Sequence, residues 1–451
     1  MNVRAVILAA GQGTRMRSSL PKVLHPILGH PMVWYSVEAA RKVTGADPVM
    51  VVGHGAQQVR QALEGQVNFV LQEQQLGTGH AAAQAEMVLK GHTDLVLVIS
   101  ADMPLLTPET LQRMIEIQQA NSHGPMTMLT VIDENSRGFG RVIRGEAGGV
   151  LAVVEEAQAT PEQMALHELN AGVYCFSSDW LWSALKRVPL SPKGEYYLTD
   201  SVAIAVEDGF QVAALTIEDA TETIGINTRV HLAEAAAVMR DRINTSWMLA
   251  GVTIIDPAST YIEPEVVIGQ DSMIWPNTYL HGETEIGERC SLGPNTIVRS
   301  TQIGKDCTVL SSVLEGAVLE DHVDVGPFAR LRKGAHLAQG VHMGNFGEVK
   351  DSYLGPGTKM GHFSYIGNAT IGSQVNIGAG TITCNYDGEK KHPTEIGARV
   401  FIGSDTMLVA PVKLGEGART GAGAVVTRDV PPETLVVGVP AHPVRKLEKR
   451  D

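Results

Sequence analysis

The chain has only four cysteines in 451 residues, Cys175, Cys290, Cys307 and Cys384, scattered without a CxxC or Cys/His pattern. Free thiols follow, and neither a disulfide framework nor a zinc centre organises the fold. No run of about 18 uncharged apolar residues exists, so no helical membrane span is expected. The first residues, "MNVRAVILAAGQGTR", pass from a short apolar run straight into a glycine loop with no signal-peptide cleavage pattern, which points to the cytoplasm. Basic residues are in the minority: 36 Lys and Arg stand against 49 Asp and Glu, a formal net charge of −13 at pH 7. That balance sets aside nucleic acid as the principal partner, because duplex binding needs a basic surface. Small anionic ligands remain open, since they need only a few local cations and amides.

What is present is a globular composition, 44% hydrophobic and 19% charged, long enough for two or three packed cores. Up to about residue 227, short aliphatic runs alternate with helical stretches. The runs at 4–10, 48–53, 95–100 and 171–176 read as strands, and 32–43, 78–89 and 108–119 as the helices between them. Continuous apolar strands separated by helices imply a mostly parallel sheet covered on both faces, with ligands at the carboxyl ends of the strands. A connector helix is expected over 229–250, because Leu232, Ala236, Met239, Ile243, Trp247 and Ala250 make one apolar stripe. The expected division is therefore 1–228, the connector 229–250, and 251–451.

From Ile268 the period becomes six. Ile268, Ile274, Leu280, Ile286, Leu292 and Val298 keep it; Val313, Leu319, Val325, Leu331, Leu337, Met343 and Val349 keep it again; Ile396, Ile402, Leu408 and Leu414 resume it later. A six-residue aliphatic repeat signals a parallel β-helix, with one aliphatic residue buried per flat face and a small residue at each corner. About a dozen residues between Ile382 and Ile396, including "CNYDG" at 384–388, break the rhythm and must project as a loop. Such a loop carries an ordering cost that a function offsets, although a tolerated insertion is the plain alternative.

Two sets of residues carry chemistry. In "LAAGQGTRM" (8–16), followed by "LPK" (20–22), Gly11 and Gly13 turn amides toward an anion while Arg15 and Lys22 supply fixed positive charge. The string is neither the dinucleotide fingerprint nor a Walker loop, since the third glycine and the GK[ST] are missing. Asp102 closes the strand 95–100 in the turn "ADMP", at the carboxyl edge where metal-bound phosphates belong; an ordinary turn Asp is the alternative. In the repeat half, His362 is of the residue type that serves as a general base near neutral pH, and Arg332 and Lys350 a few repeats earlier are cations for an anionic ligand. It is one of 15 histidines, and a single His in a coil is more often structural or merely exposed.

The string "LAAGQGTRMRSSLPKVL", with "QLGTGHA" (75–81), "GFGRV" (138–142), "ELNAGVY" (168–174) and "GEYYLTD" (194–200) in order, resembles the signature of sugar-phosphate nucleotidyltransferases. With "GPFARLR", "GNFGEVK", "GHFSYIG" and "CNYDG" added, nearly the whole chain resembles the bacterial bifunctional family of N-acetylglucosamine-1-phosphate uridyltransferases and glucosamine-1-phosphate N-acetyltransferases. The resemblance implies an α/β Rossmann-like nucleotidyltransferase domain followed by a left-handed parallel β-helix, a homotrimer, and supply of UDP-N-acetylglucosamine for peptidoglycan and lipopolysaccharide. It implies that Leu8, Ala9, Ala10, Gly11 and Lys22 hold the nucleotide. Gln72, Gly77 and Thr78 would face the uracil, while Gly140, Glu155 and Asn170 would hold the N-acetylglucosamine. Arg15 and Lys22 would act on the phosphates of UTP, and Asp102 and Asn227 would hold Mg²⁺; read alone, Asn227 is equally a cap before the connector. In the second site, Arg332, Lys350, Tyr365 and Asn376 would bind glucosamine-1-phosphate, with His362 as base. Ala379, Asn385, Tyr386, Ser404 and Ala422 would line the acetyl-CoA path. Two departures stand out: Ala101 replaces the usual Gly before the metal Asp, and Gly438 stands near the place of a C-terminal Arg that meets coenzyme A phosphates. The competing readings are a single-activity nucleotidyltransferase whose β-helix only oligomerises or regulates, and an inactive assembly subunit.

Overall fold

The computed structural model describes residues 1–446. Its contacts divide the chain into two compact units, Met1–Met239 and Arg240–Asp451.

The first unit is built on a twisted sheet in the order Ala213–Ile217, Met126–Ile132, Glu168–Ser177, Leu95–Ser100, Val3–Ala9, Val49–Val52, Asn68–Leu71. Val3–Ala9 lies between its parallel neighbours Val49–Val52 and Leu95–Ser100. These strands are apolar along their length because helices cover both faces; Ala5, Ile7, Met50, Val52, Leu97 and Ile99 fill one core, and Val6, Val49, Val51, Val96 and Val98 the other. The sheet is mixed, since Glu168–Ser177 runs antiparallel to both neighbours. The helix expected over 78–89 is two short ones, Thr78–Ala83 and Glu86–Leu89, interrupted at Gln84 and Ala85.

The second unit is a three-sided coil whose faces are sheets of twelve, ten and nine strands among the described residues, parallel throughout except for the last strand of the first, His442–Lys446, which runs antiparallel to Thr434–Val437. Successive turns stack in register, as in Ile254↔Ile274, Leu280↔Val298 and Ile286↔Ile303. The repeat residues point inward. Ile274, Leu280, Leu292, Val298, Leu331, Leu337, Met343 and Val349 are all fully buried in one continuous core, each worth roughly 1.5–3 kcal/mol over exposure. Val313 is an exception: it faces outward, and Leu314 fills the inner position, because the spacing shortens to five on both sides of Leu314, from Val309 and to Leu319. The corners take left-handed backbone at residues such as Asp271, Asn277, Arg289 and Asn295. Buried threonines such as Thr278 and Thr284 donate to the corner carbonyls of Trp275 and His281.

The helix Arg229–Leu249 carries the expected stripe as far as Trp247, divided between two cores, while Ala250 lies beyond its end and is exposed. Leu232, Ala236 and Met239 pack with Leu105, Ile224 and Ile226 in the first unit. Ile243 and Trp247 pack on the coil's core, and the Asn244 amide donates to the carbonyls of Pro257 and Thr260 in the second.

Candidate active sites

A cavity of about 780 Å³ opens at the carboxyl ends of the central strands of the first unit. Its lining includes every residue that the sequence assigned to the nucleotide, the N-acetylglucosamine or the metal: Leu8, Ala9, Ala10, Gly11, Arg15, Lys22, Gln72, Gly77, Thr78, Asp102, Gly140, Glu155, Asn170 and Asn227. The loop after the first strand makes only one 3₁₀ turn, Thr14–Met16, so its anion cradle is made of loop amides rather than the end of a long helix. Gly13 is held at φ +63°, and a Cβ there would stand 2.6 Å from Lys22 Cβ. A glycine is therefore what lets the Lys22 stem lie against the loop.

Lys22, Asp102, Asn227 and Arg15 form one network. The Lys22 ammonium pairs with the Asp102 carboxylate and donates to Asn227 Oδ1 at 3.0 Å, which also accepts from Arg15 Nη2 at 3.0 Å. Ser100 Oγ donates to the other Asp102 oxygen at 2.6 Å. Asn227 reaches Asp102 across the chain because the Ile226 N–H donates to the Asp102 carbonyl at 2.9 Å. Burial pushes the Asp102 carboxyl up, but the Lys22 charge, the hydrogen bonds from Lys22 and Ser100, and its own backbone amide together hold it below the ordinary value. The fold accommodates Ala101: its methyl is buried in the core and its N–H donates to the Leu8 carbonyl.

On the opposite wall, the buried Gln72 amide donates to the Gly77 carbonyl at 3.1 Å, leaving its oxygen facing elsewhere. Gly77 sits at φ +97° with the backbone of Tyr196 where a side chain would be. Glu155 Oε1 accepts from Thr199 Oγ1 at 2.9 Å, and Asn170 Nδ2 donates to the Tyr174 hydroxyl at 2.7 Å. Gln75, Tyr197 and Thr199 also line the cavity and were not singled out from the sequence, although they lie within the strings "QLGTGHA" and "GEYYLTD".

The coil brings its candidate residues together in two groups. Arg332 and Lys350 occupy equivalent positions on consecutive turns of the second face, next to the pairs Leu331↔Val349 and Glu348↔Tyr365. Arg332 Nη1 donates to Glu348 at 3.0 Å. The projecting loop folds back over this face: Tyr386 bridges Lys391, and the buried Asn385 amide donates to Asn368 Oδ1 at 2.7 Å. Lys391, which the sequence did not single out, stands against Lys350, and their repulsion holds its ammonium below the ordinary value. Tyr386 itself is exposed.

The second group follows a corner. Gly361-His362, Gly378-Ala379, Gly403-Ser404 and Gly421-Ala422 each follow an inner strand of the first face, so His362, Ala379, Ser404 and Ala422 stack at one edge. Backbone bonds tie the column, with Asp405 N–H donating to Ala379 O and Gly423 N–H to Ser404 O. His362 is exposed and has no hydrogen-bond partner among the described residues. Asn376 lies on the first face, paired with Lys359 and Phe401, and so on a different side of the coil from Tyr365.

The MobA-like NTP transferase domain family matches residues 5–174. The bacterial transferase hexapeptide family matches 265–300 and 393–428, and the hexapeptide repeat of succinyl-transferase matches 283–326. With its stacked parallel strands, the second unit is a left-handed parallel β-helix. The bifunctional protein GlmU of Heliobacterium modesticaldum is 46% identical over 435 residues, covering 96% of this chain and 94% of that protein. The protein of the same name from Pelobacter propionicus is 46% identical, with 97% and 95% covered, and that of an Exiguobacterium species 47%, with 96% of each. Similarity at this level through both units means that the chain belongs to the family of the bifunctional protein GlmU.

Proposed function

We infer that the protein makes UDP-N-acetylglucosamine by two transfers, acetyl from acetyl-CoA to glucosamine-1-phosphate on the β-helix and then uridylyl from UTP to N-acetylglucosamine-1-phosphate in the α/β unit. The observation that carries the reading is the gathering, around one cavity, of all the residues that the sequence assigned to the nucleotide, the N-acetylglucosamine or the metal.

In the uridylyl step a phosphate oxygen of the sugar attacks the α-phosphorus of UTP, the bond to the bridging oxygen breaks, and pyrophosphate leaves. Arg15 and Lys22 are the cations for the charge that spreads over the phosphates. Asp102 and Asn227 offer two hard oxygens that already converge on one cation, the Lys22 ammonium. That donor set suits Mg²⁺, which, held there by Asp102 and Asn227, would neutralise phosphate charge. The Gln72 oxygen is the group left to accept from a uracil N–H, and Glu155 and Asn170 face the sugar.

In the acetyl step His362 removes a proton from the sugar ammonium, the freed amine attacks the thioester carbonyl, the C–S bond breaks, and coenzyme A leaves as the thiol after taking a proton. Arg332, Lys350 and Lys391 hold the sugar phosphate. Lys350 and Lys391 crowd each other, and a bound phosphate dianion relieves that repulsion. Ala379, Ser404 and Ala422, stacked along the corner, are the residues for the pantetheine arm, while Asn385, bonded to Asn368, and Tyr386 stand at the other edge of the second face. The placement of Asn376 and Tyr365 on different sides of the coil supports a site closed by a neighbouring copy, as in a homotrimer.

Incubation with glucosamine-1-phosphate, acetyl-CoA, UTP and Mg²⁺ is expected to release free thiol and pyrophosphate together. Pyrophosphate from N-acetylglucosamine-1-phosphate with no thiol from glucosamine-1-phosphate would leave the single-activity reading, and neither product would leave an assembly subunit.

A further inference from the structure

The loop 133–140 forms the wall of the cavity that carries Gly138, Phe139 and Gly140. Its far side is fixed to the sheet: Asn170 N–H donates to the Gly140 carbonyl at 2.9 Å, Arg141 Nη1 to the Phe139 carbonyl at 2.6 Å, and Ser136 Oγ to Glu156 at 2.5 Å. The near side turns through two left-handed residues, Arg137 at φ +51° and Gly138 at φ +86°. An arginine in that conformation persists where something holds its side chain. Here Arg137 makes a fork onto one carboxylate, Nη2 to Glu234 Oε1 at 2.6 Å and Nη1 to Oε2 at 3.1 Å, with its guanidinium mostly covered.

Glu234 lies on the helix that begins just after Asn227. Asn227, His231 and Glu234 fall at i, i+4 and i+7, on one side of the chain as it enters that helix, and His231 Nδ1 accepts from the Asn227 N–H at 3.4 Å. The pair therefore joins the loop wall that ends at Gly140 to the opposite wall that carries Gly225 and Asn227. A carboxylate and a guanidinium in fork geometry fix distance and angle together, as a single flexible contact does not.

We propose that Arg137 and Glu234 are a positioning pair for the sugar-phosphate acceptor, a latch that sets the gap between the Gly138–Gly140 wall and the Asn227 wall. The latch touches neither substrate. It rests on the assignment of this part of the cavity to the sugar, and its effect falls on the acceptor, because the UTP contacts at Gly11, Gln72 and Gly77 belong to other loops.

The test is steady-state kinetics of both reactions on the full-length protein with Arg137→Ala, Arg137→Lys, Glu234→Gln and the exchanged double variant Arg137→Glu with Glu234→Arg. Losing a partly covered fork is expected to raise KM for N-acetylglucosamine-1-phosphate by about tenfold in Arg137→Ala and Glu234→Gln. In both, acetyl transfer should stay within about twofold, and kcat and KM for UTP should change by less than the acceptor KM, since Asn227 alone among the nucleotide and metal groups stands on a latched wall. Arg137→Lys should keep only part of the effect, and the exchanged pair should return KM to within about threefold of the parent, as coupled residues do. An unchanged acceptor KM in Arg137→Ala overturns the latch, as does an exchanged pair no better than the single variants. Asn170→Ala separates the two levels of the argument: if it too leaves the acceptor KM unchanged, the assignment of the pocket has failed, whereas a rise there beside a normal Arg137→Ala removes the latch alone.

Discussion

The two candidate sites are made in opposite ways. In the α/β unit, strands that end side by side and loops that rise beyond them enclose a cavity, so residues from position 8 to position 227 meet inside one chain. The β-helix has a filled interior and outward-facing sides, and its candidate residues spread over a face, a corner and a second face. A coil packed solid by its own repeat has no interior cavity to offer, and the open depression on its third face, between Thr370, Glu395, Lys413 and Asp429, holds none of the candidate residues. The coil gains a concavity for them by projecting a loop, as at Asn385–Lys391, or by standing beside another coil. A site made by enclosure is a property of the chain, and one made by juxtaposition is a property of the assembly.

The sharpest break between the two is expected from Asp102→Ala, which removes the carboxylate that faces Lys22. Uridylyl transfer should fall by at least about two to three orders of magnitude, the usual scale for a preorganised charge contact, with acetyl transfer nearly intact. Pyrophosphate release at the parent rate would refute the role. The mirror experiment is His362→Ala, for which loss of roughly two to four orders of magnitude in thiol release is expected with no change in pyrophosphate release. Parent-like acetylation would remove His362 as the base.

Mixing tests the comparison directly. Asn376→Ala and Lys350→Ala protein, each impaired alone, should on subunit exchange recover about a quarter of parental acetyl transfer, because a random closed ring re-forms that share of intact junctions. Asp102→Ala mixed with Lys22→Ala should recover nothing in the uridylyl assay. Equal recovery in both assays, or in neither, would end the distinction between enclosure and juxtaposition.

The smallest effect concerns coenzyme A. Arg445 and Lys446 pair antiparallel with Leu435 and Thr434, on an exposed strand that closes the first face. Their register sets them at the far end of that strand from Gly438, while His442 pairs with Val437 beside it. Arg445→Ala with Lys446→Ala is expected to raise KM for acetyl-CoA by a few-fold at low ionic strength and to lessen its salt dependence. No change would direct attention to His442. The last residues of the stretch that carries these cations, 447–451, lie outside the described structure.

The coil was legible because its repeat is set by geometry alone: a flat face buries one residue in six, and Ile268 to Val298 obey it without interruption. Val313 was misplaced because a corner accepts five residues as readily as six, and two adjacent valines or leucines satisfy either count. In the α/β unit the strands Val3–Ala9 and Leu95–Ser100 were readable from their apolar runs, but the reversed direction of Glu168–Ser177 was not, since a strand's composition carries no sign of its direction. The nucleotide residues came from contiguous strings. Lys391 and Arg137 did not, because what singles them out is a neighbour distant in sequence: Lys350 for one and Glu234 for the other.

The divided helix Arg229–Leu249 has a practical consequence for anyone who would separate the two activities genetically. A gene split at the helix's first residue strips Leu232, Ala236 and Met239 from the upstream fragment and leaves Leu105, Ile224 and Ile226 facing water. A split at its last residue does the same to the downstream fragment, which loses Ile243, Trp247 and the amide of Asn244 that closes the first turn of the coil. A clean dissection therefore duplicates the helix, giving each half a complete copy, and places no cut at either of its ends.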